Sequence, residues 1–199
     1  MTAIDAIEQW RQPAEQGDAE AQFKLGLLFD NADGVPRDEA AAFDWYRRAA
    51  DQGHPAAQLH LGLMLNAGDG VARNDAEATH WYRQAAEQGL ADAQFNLGLM
   101  HYTAEGVEKN NPEALRWFRE AAEQGNGKAQ FNLGVMHANG DGVAQDNVEA
   151  YKWWLLATMQ SDKNAEANIE MIRSRLNTAE RTVAQDHVVA WINEFQTNG

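Results

Sequence analysis

Tryptophan recurs with a spacing of 36 residues, at Trp45, Trp81, Trp117 and Trp153. The pairs Gln-Gly, Ala-Gln, Leu-Gly and Gly-Val recur with the same spacing, without a register slip between residues 16 and 143. Self-similarity at a fixed period of this length is the signature of repeat proteins, in which each unit packs mainly against its neighbours. We therefore expect residues 1–199 to form a single repeat array rather than separate domains.

Each repeat has the pattern of two consecutive helices. In the first repeat they are predicted over about residues 18–32 and 37–52, because apolar residues recur in both segments with a helical period. Gly53 is the predicted left-handed C-cap of the second helix. Prolines at helix starts cost little, since the missing N–H has no helical partner there, and three are predicted in such positions: Pro36, Pro55 and Pro112.

Small and large residues both have predicted packing roles. Gly26 and its equivalents lie inside helices, where glycine costs about 1 kcal/mol relative to alanine. Its recurrence in four repeats indicates that a neighbouring helix approaches closely at this position. Trp45 and its equivalents each offer about 150–250 Å² for burial, so we expect them in the core between helices and between repeats.

The two ends depart from the repeat. Residues 1–17 are predicted to form an N-terminal capping helix, residues 18–160 four full repeats, and residues 161–199 a C-terminal cap. The cap is expected to contain helices over 164–176 and 178–195, with Asn177 or Thr178 as the N-cap between them. The predicted fold is all-α: a right-handed α-solenoid of antiparallel helix pairs with about eleven helices.

Composition excludes several classes of protein. The chain contains no cysteine, which excludes disulfides, thiolate metal sites and a cysteine nucleophile. Its 16 basic against 30 acidic residues give a net charge of −14, which argues against a nucleic-acid partner. No apolar run of about 18 residues is present, so no membrane span is predicted. The first eight residues lack a basic and an apolar region, and a cytoplasmic location is predicted.

These motifs resemble the Sel1-like repeat family, a branch of the tetratricopeptide-like solenoids. The resemblance covers residues 18–160 and implies a non-catalytic scaffold or adaptor that holds another protein, in a bacterium, with a regulatory or immunity role. A secreted, cysteine-rich branch of the family has been linked to β-lactam binding. The alternative is therefore a protein that binds or hydrolyses a β-lactam or peptidoglycan fragment in the same groove, although this chain lacks that branch's cysteines.

No catalytic constellation is apparent in the sequence. The two serines, Ser161 and Ser174, lie outside any Gly-x-Ser-x-Gly motif, and neither His-Glu-x-x-His nor a phosphate-binding loop occurs. We predict no catalytic residue, no metal ligand and no cofactor. His101 and His137 share one repeat position, where they either fill the aromatic slot of Phe29 or share a metal with His60 as a distant third ligand.

The resemblance implies that the first helix of each repeat lines a concave groove. Apolar anchors flanked by Lys, His and Asn suit a peptide segment, since amides can pair with its backbone. The predicted partner-binding residues are Phe23, Lys24, Leu27, Leu59, His60, Leu63, Phe95, Asn96, Leu99, Tyr102, Phe131 and Asn132. In the alternative, the phenylalanines pack between first helices and the asparagines are solvated. The acidic charge favours a basic partner, and exposed groove residues would also permit a homodimer.

Overall fold

The computed structural model describes residues 3–33, 35–160 and 163–198. Within these ranges the chain forms helices and turns, and no strand. The helices are α1 (Ala3–Glu15), α2 (Ala19–Asp30), α3 (Glu39–Asp51), α4 (Pro55–Ala67), α5 (Asp75–Glu87), α6 (Ala91–Thr103), α7 (Asn111–Glu123), α8 (Gly127–Asn139), α9 (Asn147–Thr158), α10 (Lys163–Arg173) and α11 (Thr178–Asn198). The all-α fold of about eleven helices is thus confirmed. None of these helices combines the length and apolarity that a membrane-spanning segment needs.

Side-chain caps set most helix starts. The Asp38 carboxylate accepts the N–H of Ala41, so α3 begins at Glu39 and not at Pro36. The prediction for Pro36 was therefore wrong, whereas Pro55 and Pro112 do lie in the first turns of α4 and α7. Side-chain acceptors cap the starts of α2, α4, α5, α7, α8 and α9 in the same way, from Asp18, His54, Asn74, Asn110, Asn126 and Asp146.

Of the two predicted N-caps of the last helix, Asn177 and Thr178, the structure has Asn177. Its side-chain oxygen accepts the N–H of Glu180 at 3.0 Å, and the Glu180 carboxylate accepts the N–H of Asn177 at 2.8 Å. This reciprocal pair is a capping box, which satisfies two N–H groups at the start of α11. Ser161 lies outside the described residues.

The chain divides into two compact units. Unit 1 comprises Met1–Ala93 and Glu105–Glu108, and unit 2 comprises Gln94–Ala104 and Lys109–Gly199. In unit 1, Leu25 and Leu28 of α2 are buried against α1, with Trp45 packed beside them. In unit 2, one buried cluster includes Phe118 and Trp153, and a second includes Trp154 and Ile172. A single array over residues 1–199 stays a prediction.

The helix glycines mark close approaches between paired helices, as predicted. A Cβ added to Gly26 would lie 2.5 Å from Cδ1 of Tyr46, which is fully buried. The repeated tryptophan is therefore not the residue that faces the glycine; its C-terminal neighbour is. The same contact pairs Gly62 with Tyr82, Gly98 with Phe118 and Gly134 with Trp154.

The repeated tryptophans nevertheless lie mostly in the core. Trp81, Trp117 and Trp153 are 8%, 3% and 4% exposed, which confirms their predicted burial. Trp45 is only half-buried and has the guanidinium of Arg48 4.5 Å from its ring centroid. The first repeat thus packs its tryptophan less tightly than the others do.

The first helix of each repeat is followed by a residue with a left-handed backbone conformation. In two of the repeats this residue is alanine. Gly68 and Gly140 have φ of +76° and +78° after α4 and α8, whereas Ala32 and Ala104 have φ of +55° and +64° at the same repeat position. A residue with a Cβ is destabilised by about 1–2 kcal/mol in this left-handed conformation, whereas glycine adopts it without steric strain.

We expect Ala104→Gly to raise the free energy of unfolding by about 1 kcal/mol, since relief of this strain exceeds the added flexibility of the unfolded chain. Urea denaturation measures the change. The reciprocal variant Gly140→Ala should lower the free energy of unfolding by a similar amount. A stability loss in Ala104→Gly would contradict the strain argument.

Candidate partner-binding face

The predicted binding residues lie on the first helices of the repeats. Those of unit 1 are on α2 and α4, and those of unit 2 are on α6 and α8. The unit 1 face consists of Phe23, Lys24, Leu27, Leu59, His60 and Leu63. The unit 2 face consists of Phe95, Asn96, Leu99, Tyr102, Phe131 and Asn132.

The largest apolar side chains of the unit 1 face are mostly covered. Phe23 and Leu59 are 8% and 9% exposed. The Phe23 ring stacks on His54, with 4.7 Å between centroids, and also contacts Tyr46. Leu27 is half-buried and Leu63 is exposed, so these two leucines provide the accessible apolar surface of this face.

The basic groups of the unit 1 face are engaged within the unit. Lys24 pairs with Glu20 at 3.2 Å. His60 lies between Phe23 and Tyr46, 5.6 and 5.0 Å from their ring centroids, and burial lowers its pKa. Lys24 is thus already paired with a carboxylate, and the His60 ring already packs against aromatic rings. A partner would have to replace these contacts in order to bind either side chain.

His54 has a role that sequence reasoning missed. Its Nδ1 accepts the N–H of Ala57, so the proton lies on Nε2, which donates to Glu20 at 2.9 Å. This hydrogen bond, followed by that of Lys24, holds the pKa of Glu20 below its usual range. The signal was available, since His54 occupies the repeat position at which Asn126 caps α8.

The unit 2 face has half-buried rings supported by the core. Phe95, Leu99 and Tyr102 pack against the buried cluster around Phe118. The Phe95 and Tyr102 rings lie 5.9 and 6.4 Å from that of Phe118. Phe131 packs in the same manner against the second cluster of unit 2. Each ring therefore has a fixed position while part of its surface stays accessible.

Polar contacts fix the Tyr102 end of this face. The Tyr102 hydroxyl donates to Asp141 at 3.0 Å, and burial together with this hydrogen bond raises the pKa of Tyr102. The ammonium of Lys109 lies 5.6 Å from the Tyr102 ring centroid. Neither Asp141 nor Lys109 was predicted to contact this face. Asp141 belongs to the repeated acidic turn before Gly-Val, and spacing alone does not show that this turn reaches Tyr102.

The Phe95 end carries a second cation. The ammonium of Lys128 lies 5.9 Å from the Phe95 ring centroid, and the equivalent positions in other repeats hold Glu20, Ala56 and Asp92. The Asn132 side chain donates to the Lys128 carbonyl at 2.8 Å. Part of the Asn132 amide is thus used within α8.

His101 and His137 are buried at 5% and 4% exposure, in the position of Phe29. This burial supports the packing interpretation. No group of three or more His, Asp or Glu side chains that could hold a metal occurs within residues 3–33, 35–160 and 163–198. Neither ring nitrogen of His137 has a hydrogen-bond partner.

Burial lowers the pKa of His137, while Glu149 and Asp146 raise it and Arg119 and Lys152 lower it. Its folded pKa lies below the unfolded value near 6.5, so the unfolded chain binds the proton first as the pH falls. The contribution of His137 to the free energy of unfolding is therefore fully present above about pH 6.5. It is lost as the pH falls below this value, by at most about 1.4 kcal/mol per pH unit.

Repeat two has leucine, Leu65, at the position of His137. We therefore expect His137→Leu to reduce the pH dependence of the free energy of unfolding below pH 6.5. Urea denaturation between roughly pH 5 and 8 measures it. The two proteins should have the same slope above pH 7.5. A wild-type slope in the variant at low pH would show that His137 is not the group responsible.

Consecutive antiparallel helix pairs with a common period of 36 residues define an α-solenoid. The chain belongs to the Sel1 repeat family, whose repeat matches residues 19–54, 55–90, 91–126 and 127–162. Proteins built from Sel1 repeats are generally protein-binding scaffolds without catalytic activity. The predicted resemblance is thus confirmed.

Solved structures give the same fold. A protective antigen of uropathogenic Escherichia coli with an SLR fold is 36% identical, with a TM-score of 0.83, over 96% of this chain and 41% of that one. This chain therefore spans about two fifths of that protein's length. A Sel1 repeat protein from Oxalobacter formigenes is 30% identical, with a TM-score of 0.78, over 99% of this chain and 84% of that one.

An immunity protein from Pseudomonas aeruginosa is 23% identical, with a TM-score of 0.50, over 80% of this chain and 59% of that one. At this identity the similarity concerns the fold alone. Comparison with proteins of curated function gives no match.

Proposed function

We propose that this chain is a non-catalytic interaction protein that holds a segment of a partner protein on the unit 2 face. The observation that carries the proposal is the set of core-supported, partly accessible rings of Phe95, Tyr102 and Phe131. Aromatic side chains in fixed positions are typical binding anchors. Their support by the core lowers the ordering cost of binding.

The unit 1 face is less suited to be the principal contact. Its Phe23 and Leu59 are nearly covered, and its Lys24 and His60 are engaged within the unit. The exposed Leu63, at 41%, is its main accessible anchor. We therefore assign most of the binding energy to the unit 2 face.

The net charge of the chain and the lysines of the unit 2 face favour two different properties of the partner. The net charge of −14 attracts a basic protein at long range and speeds its association at low salt. On the unit 2 face, however, Lys109 and Lys128 lie over the rings of Tyr102 and Phe95. The bound segment itself should thus be apolar, without positive charge opposite these lysines.

The bacterial sources of the Escherichia coli and Oxalobacter formigenes structures support a bacterial origin. A regulatory or immunity role, a cytoplasmic location and a homodimer stay predictions of the sequence. No observation favours the β-lactam or peptidoglycan alternative.

The test compares two triple variants of matched size. The first is Phe95→Ala with Asn96→Ala and Asn132→Ala on the unit 2 face, and the control is Lys24→Ala with His60→Ala and Leu63→Ala on the unit 1 face. Circular dichroism first establishes that both are folded. Affinity capture from lysate of the native source with mass spectrometry then identifies a partner, and calorimetry with that purified partner measures its affinity.

The unit 2 variant should bind the partner more than tenfold more weakly, while the control keeps wild-type affinity. Equal affinity of the unit 2 variant and the wild type would show that the binding site lies elsewhere. Capture of no protein by the wild type would contradict the scaffold function itself.

A further inference from the structure

The third and fourth repeats differ at one position on the first helix. Tyr102 of α6 has its ring centroid 6.4 Å from that of Phe118, and its hydroxyl donates to Asp141 in the turn after α8. The tyrosine ring thus spans from α6 to this turn and covers Phe118. The equivalent residue in the fourth repeat is Ala138, which has no ring to place there.

The fourth repeat has a cavity of about 270 Å³ at the corresponding place in unit 2. Its walls include Ala138 and Trp154, the equivalents of Tyr102 and Phe118. The cavity is smaller than the roughly 300–1,000 Å³ of pockets for drug-sized ligands, which suits a single side chain. Because the third repeat packs a ring against Phe118 at the same place, the group that fits against Trp154 is an aromatic ring.

One cation lines the same cavity. Arg175 follows α10 and is exposed. Its repeat position holds uncharged residues elsewhere, namely Asn31, Ala67, Thr103 and Asn139. Arg175 forms no ion pair within the part of the chain that the structure describes, although the chain has 30 acidic residues against 16 basic ones. Its guanidinium is therefore available to a carboxylate of a ligand, which it can bind through two parallel hydrogen bonds.

Two further cations of unit 2 have the same property. Lys109 and Lys128, over the rings of Tyr102 and Phe95, likewise form no ion pair with any other described residue. Three cations at separate places require more than one carboxylate to balance them. A chain terminus supplies a single carboxylate, whereas acidic side chains supply several. The charge of this surface is thus complementary to an acidic segment.

We propose that the cavity receives an aromatic side chain of the partner segment, and that an acidic residue next to that side chain pairs with Arg175. The inference rests on the proposed function and specifies the chemistry of the bound segment. The ring lies against Trp154 and contacts Met171, which lines the cavity and is 53% exposed. Thioether sulfur makes favourable contacts with aromatic rings.

Three probes test this chemistry without knowledge of the partner. They are the tetrapeptide acetyl-Gly-Phe-Asp-Gly-amide, its Phe-Asn analogue, and N-acetylphenylalanine, whose carboxylate is terminal. In NMR titrations of the full chain, the Phe-Asp peptide should bind about threefold more tightly than the Phe-Asn peptide, since it gains an ion pair with Arg175. Its ring should shift the indole N–H resonance of Trp154, which donates to the Phe131 carbonyl.

Two results with these probes would overturn the proposal. The first is equal binding of the Phe-Asp and Phe-Asn peptides, or binding of neither. The second is tighter binding of N-acetylphenylalanine than of the Phe-Asp peptide, because the cavity would then prefer a chain terminus to an acidic side chain.

A variant of the fourth repeat locates the site. Ala138→Tyr introduces the residue of the third repeat and fills the cavity with a ring of the chain itself. It should weaken binding of the Phe-Asp peptide about tenfold, since the ring of the probe loses its apolar contacts. Asn66→Tyr is the matched control, at the same repeat position in unit 1, and should bind the peptide normally. Wild-type affinity in Ala138→Tyr, once circular dichroism shows that it is folded, would contradict the proposal.

A second variant tests the charge. Arg175→Gln should abolish the preference for the Phe-Asp over the Phe-Asn peptide, and an unchanged preference would overturn the proposal even if Ala138→Tyr does not fold. Failure of the proposed function is distinguishable from failure of this inference. A captured partner that binds Ala138→Tyr as tightly as the wild type would exclude the cavity alone, whereas capture of no protein by the wild type would contradict the scaffold function.

Discussion

Replacing Trp117 with alanine should lower the free energy of unfolding by about 3–5 kcal/mol, as truncation of a large core residue does. Trp117 is 3% exposed on α7, and the guanidinium of Arg116 lies 3.8 Å from its ring centroid. Alanine would remove this buried area and leave a cavity that the paired helices can fill only in part. Urea denaturation, analysed with a common m-value, measures the loss.

Two further variants serve as controls. Trp45→Ala should cost less, because Trp45 is only half-buried at the same repeat position. Trp117→Phe should lie between the wild type and Trp117→Ala, since the indole N–H has no hydrogen bond to lose. A Trp117→Ala protein within about 1 kcal/mol of the wild type would show that this position carries no core packing.

The helix pairs were largely predictable, because several independent signals repeat four times. Gly26 is an example: glycine is unfavourable inside a helix, so its recurrence required a close neighbour. The sequence did not reveal that the neighbour is Tyr46 rather than Trp45. Adjacent helical residues point about 100° apart, and spacing alone does not fix the rotation of one helix against the next. Tyr46 and Trp45 are both large and aromatic, so residue type did not show which of them faces the glycine.

Helix starts were less predictable than helix pairs. The restricted φ of proline suits a helix start at Pro36, but Asp38 offers the side-chain acceptor that the first free N–H groups need. The cap determines the first residue of α3, and proline then lies in the preceding segment. Pro55 coincides with a helix start since the capping side chain, His54, directly precedes it.

The candidate binding face was predictable only as a helix surface. Phe23 and Phe95 occupy the same repeat position, yet Phe23 is buried under His54 whereas Phe95 is half-buried beside Lys128. The difference comes from residues at positions that vary between repeats. Repetition therefore predicts which residues share a face, and the variable neighbours determine which of them a partner can reach.

The glycine of the Gly-Val pair lies in a left-handed turn and also makes a close contact with the preceding repeat. In Gly106 (φ +66°) an added Cβ would collide with the carbonyl of Asp75, at the start of α5, and would lie 2.8 Å from the Ala76 nitrogen. The same approach joins Gly70 to Glu39 and Gly142 to Asn111. Only glycine lets the turn of one repeat lie against the backbone of the preceding repeat's second helix.

Gly106→Ala is accordingly expected to lower the free energy of unfolding by about 3–5 kcal/mol, from backbone strain of about 1–2 kcal/mol together with the collision. Gly89→Ala is the matched control, since Gly89 has φ of +88° and no atom within 4 Å of an added Cβ. It should show the strain alone, about 1–2 kcal/mol, in the same urea experiment. Equal losses in the two variants would mean that Gly106 serves only the left-handed turn, and that the contact with Asp75 adjusts without cost.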